Sequence, residues 1–278
     1  MSQTLPLTDP RFTWKGVVST EVANGSVMPW RIPHKEKALF AEELVMRAAM
    51  PAGARLTFRT NSTSIKAQCN SFEERSQIDL VVNGNLIGSA DTADRTSFQF
   101  ENLGSEMKDI ELWMPQFGEI RLDTLTFDDE AEVQPSADST ATKWITYGSS
   151  ITHCRTADSP TKTWPAIVAR TRGYDLTCFG FGGQCHLDPM MARVIRDREA
   201  DLISLCLGIN VHSGSLNERT FYAGILGFVQ IIREKHPTTP IVLMSPIYAV
   251  HRETEINAVG LSLIHLRAEV KRAFDTLK

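Results

Sequence analysis

The sequence predicts an α/β protein in two parts, an N-terminal β-sandwich of jelly-roll type followed by a helix-covered parallel sheet of flavodoxin-like type. Three observations predict it. Before position 135, short runs rich in Val, Ile, Thr and aromatic residues recur between turn signals. After that position, near-continuous apolar runs alternate with helical patterns. The acidic, small-residue segment DDEAEVQPSADSTATK (128–143) separates the two patterns and reads as a linker. Residues 1–134 are therefore expected to form the sandwich domain and residues 142–278 the α/β domain.

The sandwich strands are expected at RLTFRT, SIKAQC, IDLVV, TSFQF, IELWM and LDTLTF. Many short strands with few helical patterns suit two antiparallel sheets. VNGN (82–85) carries the Asn-Gly pair of a tight hairpin, because both residues tolerate positive φ. KEKALFAEELVMRAAM reads as one short helix leading into the PAGAR turn.

In the second part, KWITYG, YDLTCFGFGG, ADLISLCLGIN and PIVLMSPIYAV read as strands. Their apolar runs hardly alternate, as expected of strands buried on both faces. Between and after them, TWPAIVARTRG, DPMMARVIRDRE, NERTFYAGILGFVQIIREKH and NAVGLSLIHLRAEVKRAFDTLK read as helices. Pro165 falls in a first turn, where its missing N–H costs little. Asp188 and Asn217 stand where helix N-caps are expected, and Met190, Met191 and the Phe/Ile face of 221–232 are core at helical spacing.

Composition removes several function classes. A net charge of −4 without a dense Lys/Arg run argues against nucleic acid or an anionic membrane surface as partner. No stretch of 18 apolar residues occurs, and MSQTLPLTDPRFTW lacks the basic and apolar regions of a secretory signal. Five cysteines, an odd number without a compact framework, suggest reduced thiols in a cytoplasmic protein. Cys178 and Cys206 lie in apolar strands and read as core. The pairs His153-Cys154 and Cys185-His186 are adjacent, whereas zinc ligands are usually spaced about two to four apart, so no metal is expected. Gly180, Gly182 and Gly183 lack the order of a phosphate-binding loop, and no cofactor is expected.

In open parallel sheets, reactive groups gather at the carboxyl ends of the strands. Those ends carry GSSITH (148–153), GFGGQCH (180–186), LGINVH (207–212) and SPIYAVH (245–251). Serine just past a strand, glycine turns that let N–H groups approach a bound oxygen, and an asparagine amide together make a nucleophile beside an oxyanion hole. Either Ser149 or Ser150 fits the first role. Trp30 and Arg31, in PWRIPH, are candidates either to cover such a cleft or to serve the sandwich itself.

These blocks resemble the SGNH, or GDSL, hydrolase superfamily of esterases and acyl-transfer enzymes. Gly148-Ser149-Ser150-Ile151-Thr152 resembles its Gly-Asp-Ser block, which implies Ser150 as nucleophile and puts Ser149 where aspartate usually stands. CFGFGG resembles Asn-x-Gly-x-x-Gly, ending at Gly183 with Cys178 in place of the asparagine. Gly208-Ile209-Asn210 matches Gly-x-Asn. The resemblance thus implies an oxyanion hole of Gly183 N–H, Asn210 side chain and Ser150 N–H, and a small-molecule ester or acylated sugar as substrate. It also covers the first part, where GVVSTEV, PWRIPH and AAMPAGARLTFRT resemble the N-terminal β-domain of a bacterial branch containing both acyltransferases and esterases.

The family's fourth block, Asp-x-x-His, has no match after Asn210, and the sequence stops at Lys278 within a helix. The α/β domain is accordingly expected to be truncated before its last strand, with its general base missing. General-base assistance contributes about 10²–10⁴-fold, so its source matters. His251, with Glu253 close by, is a weak stand-in; His153, His186 and His212 sit in the other rim loops. The plainer expectation is that these histidines line the cleft or bind loop backbone. The expected function is ester hydrolysis through an acyl-enzyme on Ser150. The alternatives are acyl transfer at the same site, or a non-catalytic glycan- or ligand-binding protein.

Overall fold

A computed structural model describes residues 2–137 and 140–278. The first part contains β1 (Ser2–Pro6), β2 (Thr13–Lys15), β3 (Ser19–Ala23), β4 (Ser26–Trp30), α1 (Glu42–Ala48), β5 (Arg55–Thr60) and β6 (Ile65–Cys69). It continues through β7 (Ile78–Val82), β8 (Asn85–Ala90), β9 (Ser97–Phe100), β10 (Lys108–Trp113), β11 (Leu122–Asp128) and β12 (Val133–Gln134). One six-stranded sheet runs β3-β4-β11-β6-β9 with β1 beside β11; the other runs β12-β5-β10-β7-β8 with β2 beside β5. The pairings are antiparallel. Period-two alternation turns Ile65, Ala67, Leu125 and Phe127 of one sheet and Leu56, Phe58, Ile110 and Leu112 of the other into a shared core. Phe58 meets Phe12 and Phe127 edge-on there. Asn83 and Gly84, both at positive φ, close the β7–β8 hairpin as expected, and Asn24-Gly25 does the same between β3 and β4.

β5 is buried almost throughout, without alternation. The chain forms two compact units, and the first explains this burial: it joins Met1–Lys35 and Ala48–Ala141 to Cys154–Cys178. Within it, Arg55 pairs with Asp175 and donates to the Leu176 carbonyl at 3.0 Å. Asp79, fully buried on β7, accepts from Ser159 Oγ at 2.6 Å and from the Thr161 N–H at 2.9 Å. A buried carboxylate is tolerated when it is hydrogen-bonded this fully.

The second unit comprises Glu36–Arg47, Thr142–His153 and Phe179–Lys278. The elements after the sandwich are β13 (Lys143–Gly148), α2 (Ser150–His153), α3 (Trp164–Arg172), β14 (Asp175–Gly180) and α4 (Pro189–Arg196). They continue as β15 (Leu202–Cys206), α5 (Glu218–Arg233), β16 (Ile241–Met244) and α6 (Leu263–Leu277). The sheet order is β14-β13-β15-β16. In order of appearance that is 2-1-3-4, the flavodoxin-like arrangement, whose ligand crevice lies where the order reverses, between β13 and β15. β13 pairs in parallel with β15, and β15 with β16.

Several elements depart from expectation. The helix expected over 35–50 is a 3-10 turn, His34–Leu39, broken at Glu36 and followed by the separate α1. Val133–Gln134 pairs with β5, so the linker segment contributes a strand; its Asp138 and Ser139 lie outside the described residues. β16 stops at Met244, before Ser245 and Pro246, because proline brings no N–H to continue the ladder. The last helix begins only at Leu263. Asn257 Oδ1 accepts from the N–H groups of Val259 and Leu261 in a preceding turn, and Ser262 with His265 makes the capping box. Asn217 caps α5 as expected. Asp188 occupies the N-cap of α4, but its side chain makes no capping bond; burial raises its pKa instead. Among the described residues, no helix is long and apolar enough to cross a membrane.

Candidate active site

Two glycines let the chain turn where β13 and β14 end. A Cβ on Gly148 would stand 2.2 Å from Thr152 Oγ1, and one on Gly180 would stand 2.2 Å from the His153 backbone nitrogen. Only glycine allows α2 to lie this close to both strand ends. The two serines that follow Gly148 then take different environments. Ser149 is fully buried; its Oγ accepts the Ile151 N–H at 3.2 Å, and its carbonyl accepts from Thr152 and His153. Ser150 is exposed, and among the described residues nothing hydrogen-bonds its hydroxyl. Of the two hydroxyls, burial closes off Ser149 and leaves Ser150 open to a substrate.

Beyond β14 the chain makes a tight turn. Phe181 donates to the Gly148 carbonyl at 2.8 Å, and Gln184 donates back to the Phe181 carbonyl at 3.0 Å. Gly183 has φ +78°, at the third position of a turn of type II form. The bare Cα of Gly182 faces Ser150: a Cβ there would meet Ser150 Cβ at 3.6 Å and His153 Nδ1 at 3.5 Å. Gly182 N–H donates to His153 Nδ1 at 3.3 Å, and the Gly183 carbonyl accepts from His186 Nε2 at 2.9 Å. That leaves His186 Nδ1 to accept from Ser215 Oγ at 2.8 Å. Arg47 Nε donates to the Gly182 carbonyl at 3.0 Å. Among the described residues the Gly183 N–H makes no hydrogen bond.

Asn210 follows β15, across the point of order reversal from Ser150. Gly208, at φ +108° and 2.8 Å from Pro246 Cγ were it to bear a Cβ, makes the turn that delivers it. Asn210 Oδ1 accepts the Cys185 N–H at 3.0 Å. Only the oxygen can accept from an N–H, so this bond orients the amide and leaves Nδ2 as the outward donor. Gly182 faces Ser150, Gly183 follows it in the same turn, and Asn210 holds Cys185 two residues on. The turn after β14 therefore adjoins Ser150 on one side and the Asn210 side chain on the other.

The remaining candidates have other occupations. His153 is buried, and His153 and His186 are both tied to the turn backbone. His212 Nε2 reaches the Glu255 carbonyl at 3.4 Å. His251 lies exposed on a 3-10 turn, Val250–Arg252. Glu253 does not orient it: its carboxylate is held by Arg267 at 2.5 and 2.8 Å and by the Ala249 N–H at 2.8 Å, and Arg267 lowers its pKa. Cys185 is fully buried, and burial pushes its thiol well above the ordinary range, which keeps it protonated and inert. Among the described residues no group of three or more His, Cys, Asp and Glu side chains is placed to hold a metal ion. In the first unit, Trp30 donates to Glu21 at 2.9 Å, and Arg31, fully buried, donates to the Cys178 carbonyl at 3.3 Å; burial lowers its pKa to about 10. His153 and His186 bind loop backbone, as the plainer expectation had it, and Arg47 is what sequence reasoning missed. A Gly-Gly turn gives no sign of which distant side chain will hold it.

Comparison with known proteins identifies the family and the fold. A family model described as "GDSL-like Lipase/Acylhydrolase family" matches residues 142–277, and "SsfX3, N-terminal domain" matches residues 12–123. Among solved structures, the salicylyl-acyltransferase SsfX3 from a tetracycline biosynthetic pathway is similar with a TM-score of 0.92 and 34% identity. That match covers 99% of this chain and 81% of that one. A protein from Bacteroides ovatus ATCC 8483 described as a GDSL-like lipase gives a TM-score of 0.80 at 20% identity, over 100% of this chain and 83% of that one. A family two carbohydrate esterase from Cellvibrio japonicus gives 0.72 at 15% identity, over 100% and 86%. At such identities these last two share the fold. No curated protein sequence matches. The chain belongs to the GDSL-like lipase/acylhydrolase family of the SGNH superfamily, a family of ester-cleaving enzymes, and carries the N-terminal domain of SsfX3 type.

Proposed function

We propose that the chain is a serine esterase acting on a small-molecule or carbohydrate oxygen ester through an acyl-enzyme on Ser150, with residues 142–278 as the catalytic domain. The observation that carries this reading is the exposed, unbonded Ser150 hydroxyl beside a glycine turn with an unpartnered N–H. Ser150 Oγ attacks the ester carbonyl, and the negative charge that develops on the carbonyl oxygen is met by the Gly183 N–H, Asn210 Nδ2 and the Ser150 N–H. Such donors lower the barrier because they are already oriented before the charge forms. Collapse of the tetrahedral intermediate expels the alcohol and leaves an acyl-serine, which water then hydrolyses. Among the described residues the proton on Ser150 has no hydrogen-bonded acceptor, so the donors and the nucleophile carry the reading and the base does not. Five cysteines, an odd number without a compact framework, suit a reducing, cytoplasmic setting.

Treatment of the folded full chain with a fluorophosphonate tests the reading. The probe is expected to label Ser150, and Ser150→Ala is expected to abolish both labelling and ester turnover. An unlabelled chain, or turnover that survives Ser150→Ala, would overturn the proposal in favour of a binding protein. Acyl transfer to a hydroxyl in place of water is the second reading, favoured by the 34% identity to an acyltransferase along nearly the whole chain. Partition of the acyl group between water and an added alcohol separates the two.

A further inference from the structure

We infer that Arg47 is a positioning residue for the oxyanion hole, fixing which way the Gly182–Gly183 peptide faces. The inference rests on Gly183 acting as an oxyanion donor. The Gly182 carbonyl and the Gly183 N–H belong to one peptide unit, and in a trans peptide they point in opposite directions. Among the described residues there is no cis peptide. Whatever holds the carbonyl therefore aims the N–H.

Phe181-Gly182-Gly183-Gln184 closes on the Gln184-to-Phe181 bond, with Gly183 at φ +78°. Type I and type II turns share that closing bond and differ by a flip of the central peptide through about 180°. In most sequences a Cβ at the third position excludes one of them. With glycine at both central positions neither form is excluded by side-chain sterics. The flipped turn would present the Gly182 carbonyl where the Gly183 N–H now stands, placing a dipole of the wrong sign against a developing oxyanion.

The neighbouring peptides are held by other contacts. Gly182 N–H is on His153, the Gly183 carbonyl is on His186, and Cys185 N–H is on Asn210. The central carbonyl is held by Arg47 Nε at 3.0 Å. A guanidinium adds a second effect. A cationic donor on a carbonyl polarises the whole peptide and makes its N–H a better donor, and charge-assisted hydrogen bonds are roughly twice as strong as neutral ones. Arg47 comes from α1, an insertion between β4 and β5 in sequence, yet it belongs to the same compact unit as the turn. This gives a segment inside the sandwich sequence a part in the chemistry.

The test compares wild type, Arg47→Met, Arg47→Lys and Ser150→Ala as full chains, using p-nitrophenyl acetate turnover and the backbone NMR shifts of Gly182 and Gly183. Arg47→Met is expected to lower kcat by on the order of 10-fold to 10²-fold, less than deletion of a whole oxyanion donor. KM should stay within about twofold, because the N–H matters to the transition state more than to the bound ester. Arg47→Lys should recover part of the loss. The Gly182 carbonyl carbon and Gly183 nitrogen shifts should move in Arg47→Met while distant resonances stay put. Unchanged kcat in Arg47→Met, with Ser150→Ala inactive, would overturn the inference alone. Turnover persisting in Ser150→Ala would instead overturn the underlying function. Should activity be absent, the two NMR shifts decide: if they do not move in folded Arg47→Met or, where that variant folds poorly, in Arg47→Gln, held off the carbonyl by its shorter reach, Arg47 does not hold this peptide.

Discussion

Two strand-end regions of one sheet differ sharply. The turn after β14 is fixed at almost every polar atom: Phe181, Gly182, Gly183, Gln184 and Cys185 each make a hydrogen bond with a named partner. The segment after β16 is looser and more exposed, with Ile247, Tyr248, Val250 and Ile256 all more than half in solvent. The first region holds its backbone groups in fixed directions, as the proposed oxyanion hole requires. The second carries His251, and its best-held polar group, Glu253, is bound to Arg267. Stabilising an oxyanion requires orientation prepared in advance, and the proposed function asks this of the first region. The second shows packing of its own loop rather than a histidine oriented by a carboxylate.

The largest expected effect breaks or confirms the first half of that contrast. Asn210→Ala removes one oriented donor and leaves the Cys185 N–H without its acceptor. Steady-state turnover of an ester substrate should fall by about 10²–10³-fold, with labelling of Ser150 slowed in parallel. Unchanged turnover would mean that the ordered turn is architecture and not an oxyanion hole.

A smaller effect concerns how the order is achieved. Gly180→Ala places a methyl 2.2 Å from the His153 backbone nitrogen and 2.4 Å from the Thr152 carbonyl carbon. Backbone cannot yield as a side-chain tip can, so α2 must shift. A stability loss in the upper part of the roughly 1–3 kcal/mol range for overpacking is expected, read as a lowered denaturant midpoint. Turnover should drop as well, since Ser150 rides on α2. Gly84→Ala is the contrasting control: nothing lies within 4 Å of its Cβ, so its cost is only that of a positive φ, in a hairpin of the sandwich unit.

The same contrast explains what the sequence could and could not reveal. Strands such as Lys143–Gly148 and Arg55–Thr60 are read from local composition, and Asn83-Gly84 from the positive φ that a two-residue hairpin demands. Asn24-Gly25 carried the same signal and marked a hairpin just as plainly. The positions of Ser150, Gly183 and Asn210 in strand-end loops were legible because they follow apolar runs, and the ends of a parallel sheet are where its chemistry is proposed to sit. The preference for Ser150 over Ser149 has its physical reason in burial, which the sequence leaves open. Arg47 was hidden for a different reason. Its contact spans 135 positions and serves a backbone carbonyl, which every residue possesses. Likewise, nothing in PIVLMSPIYAV told how early the strand would end, since a proline two residues past the last ladder position also fits an edge strand.

The smallest expected effect probes the second half of the contrast, the proximity of Glu253 to His251 in sequence. Arg267 and the Ala249 N–H hold the Glu253 carboxylate below its ordinary pKa. A carboxylate whose folded pKa is depressed contributes stability that is present above the unfolded pKa and lost as pH falls through the folded one. Melting temperatures of wild type and Glu253→Gln should therefore differ modestly and constantly from neutral pH down to the usual carboxylate range, and converge in stronger acid. Turnover of the variant should stay within about twofold, with an unchanged pH profile, because a carboxylate committed to Arg267 tunes no catalytic proton transfer. If the profile moved while the melting curves did not, Glu253 would be acting on a titrating catalytic group, and His251 in the loose region after β16 would have to be given the base's role.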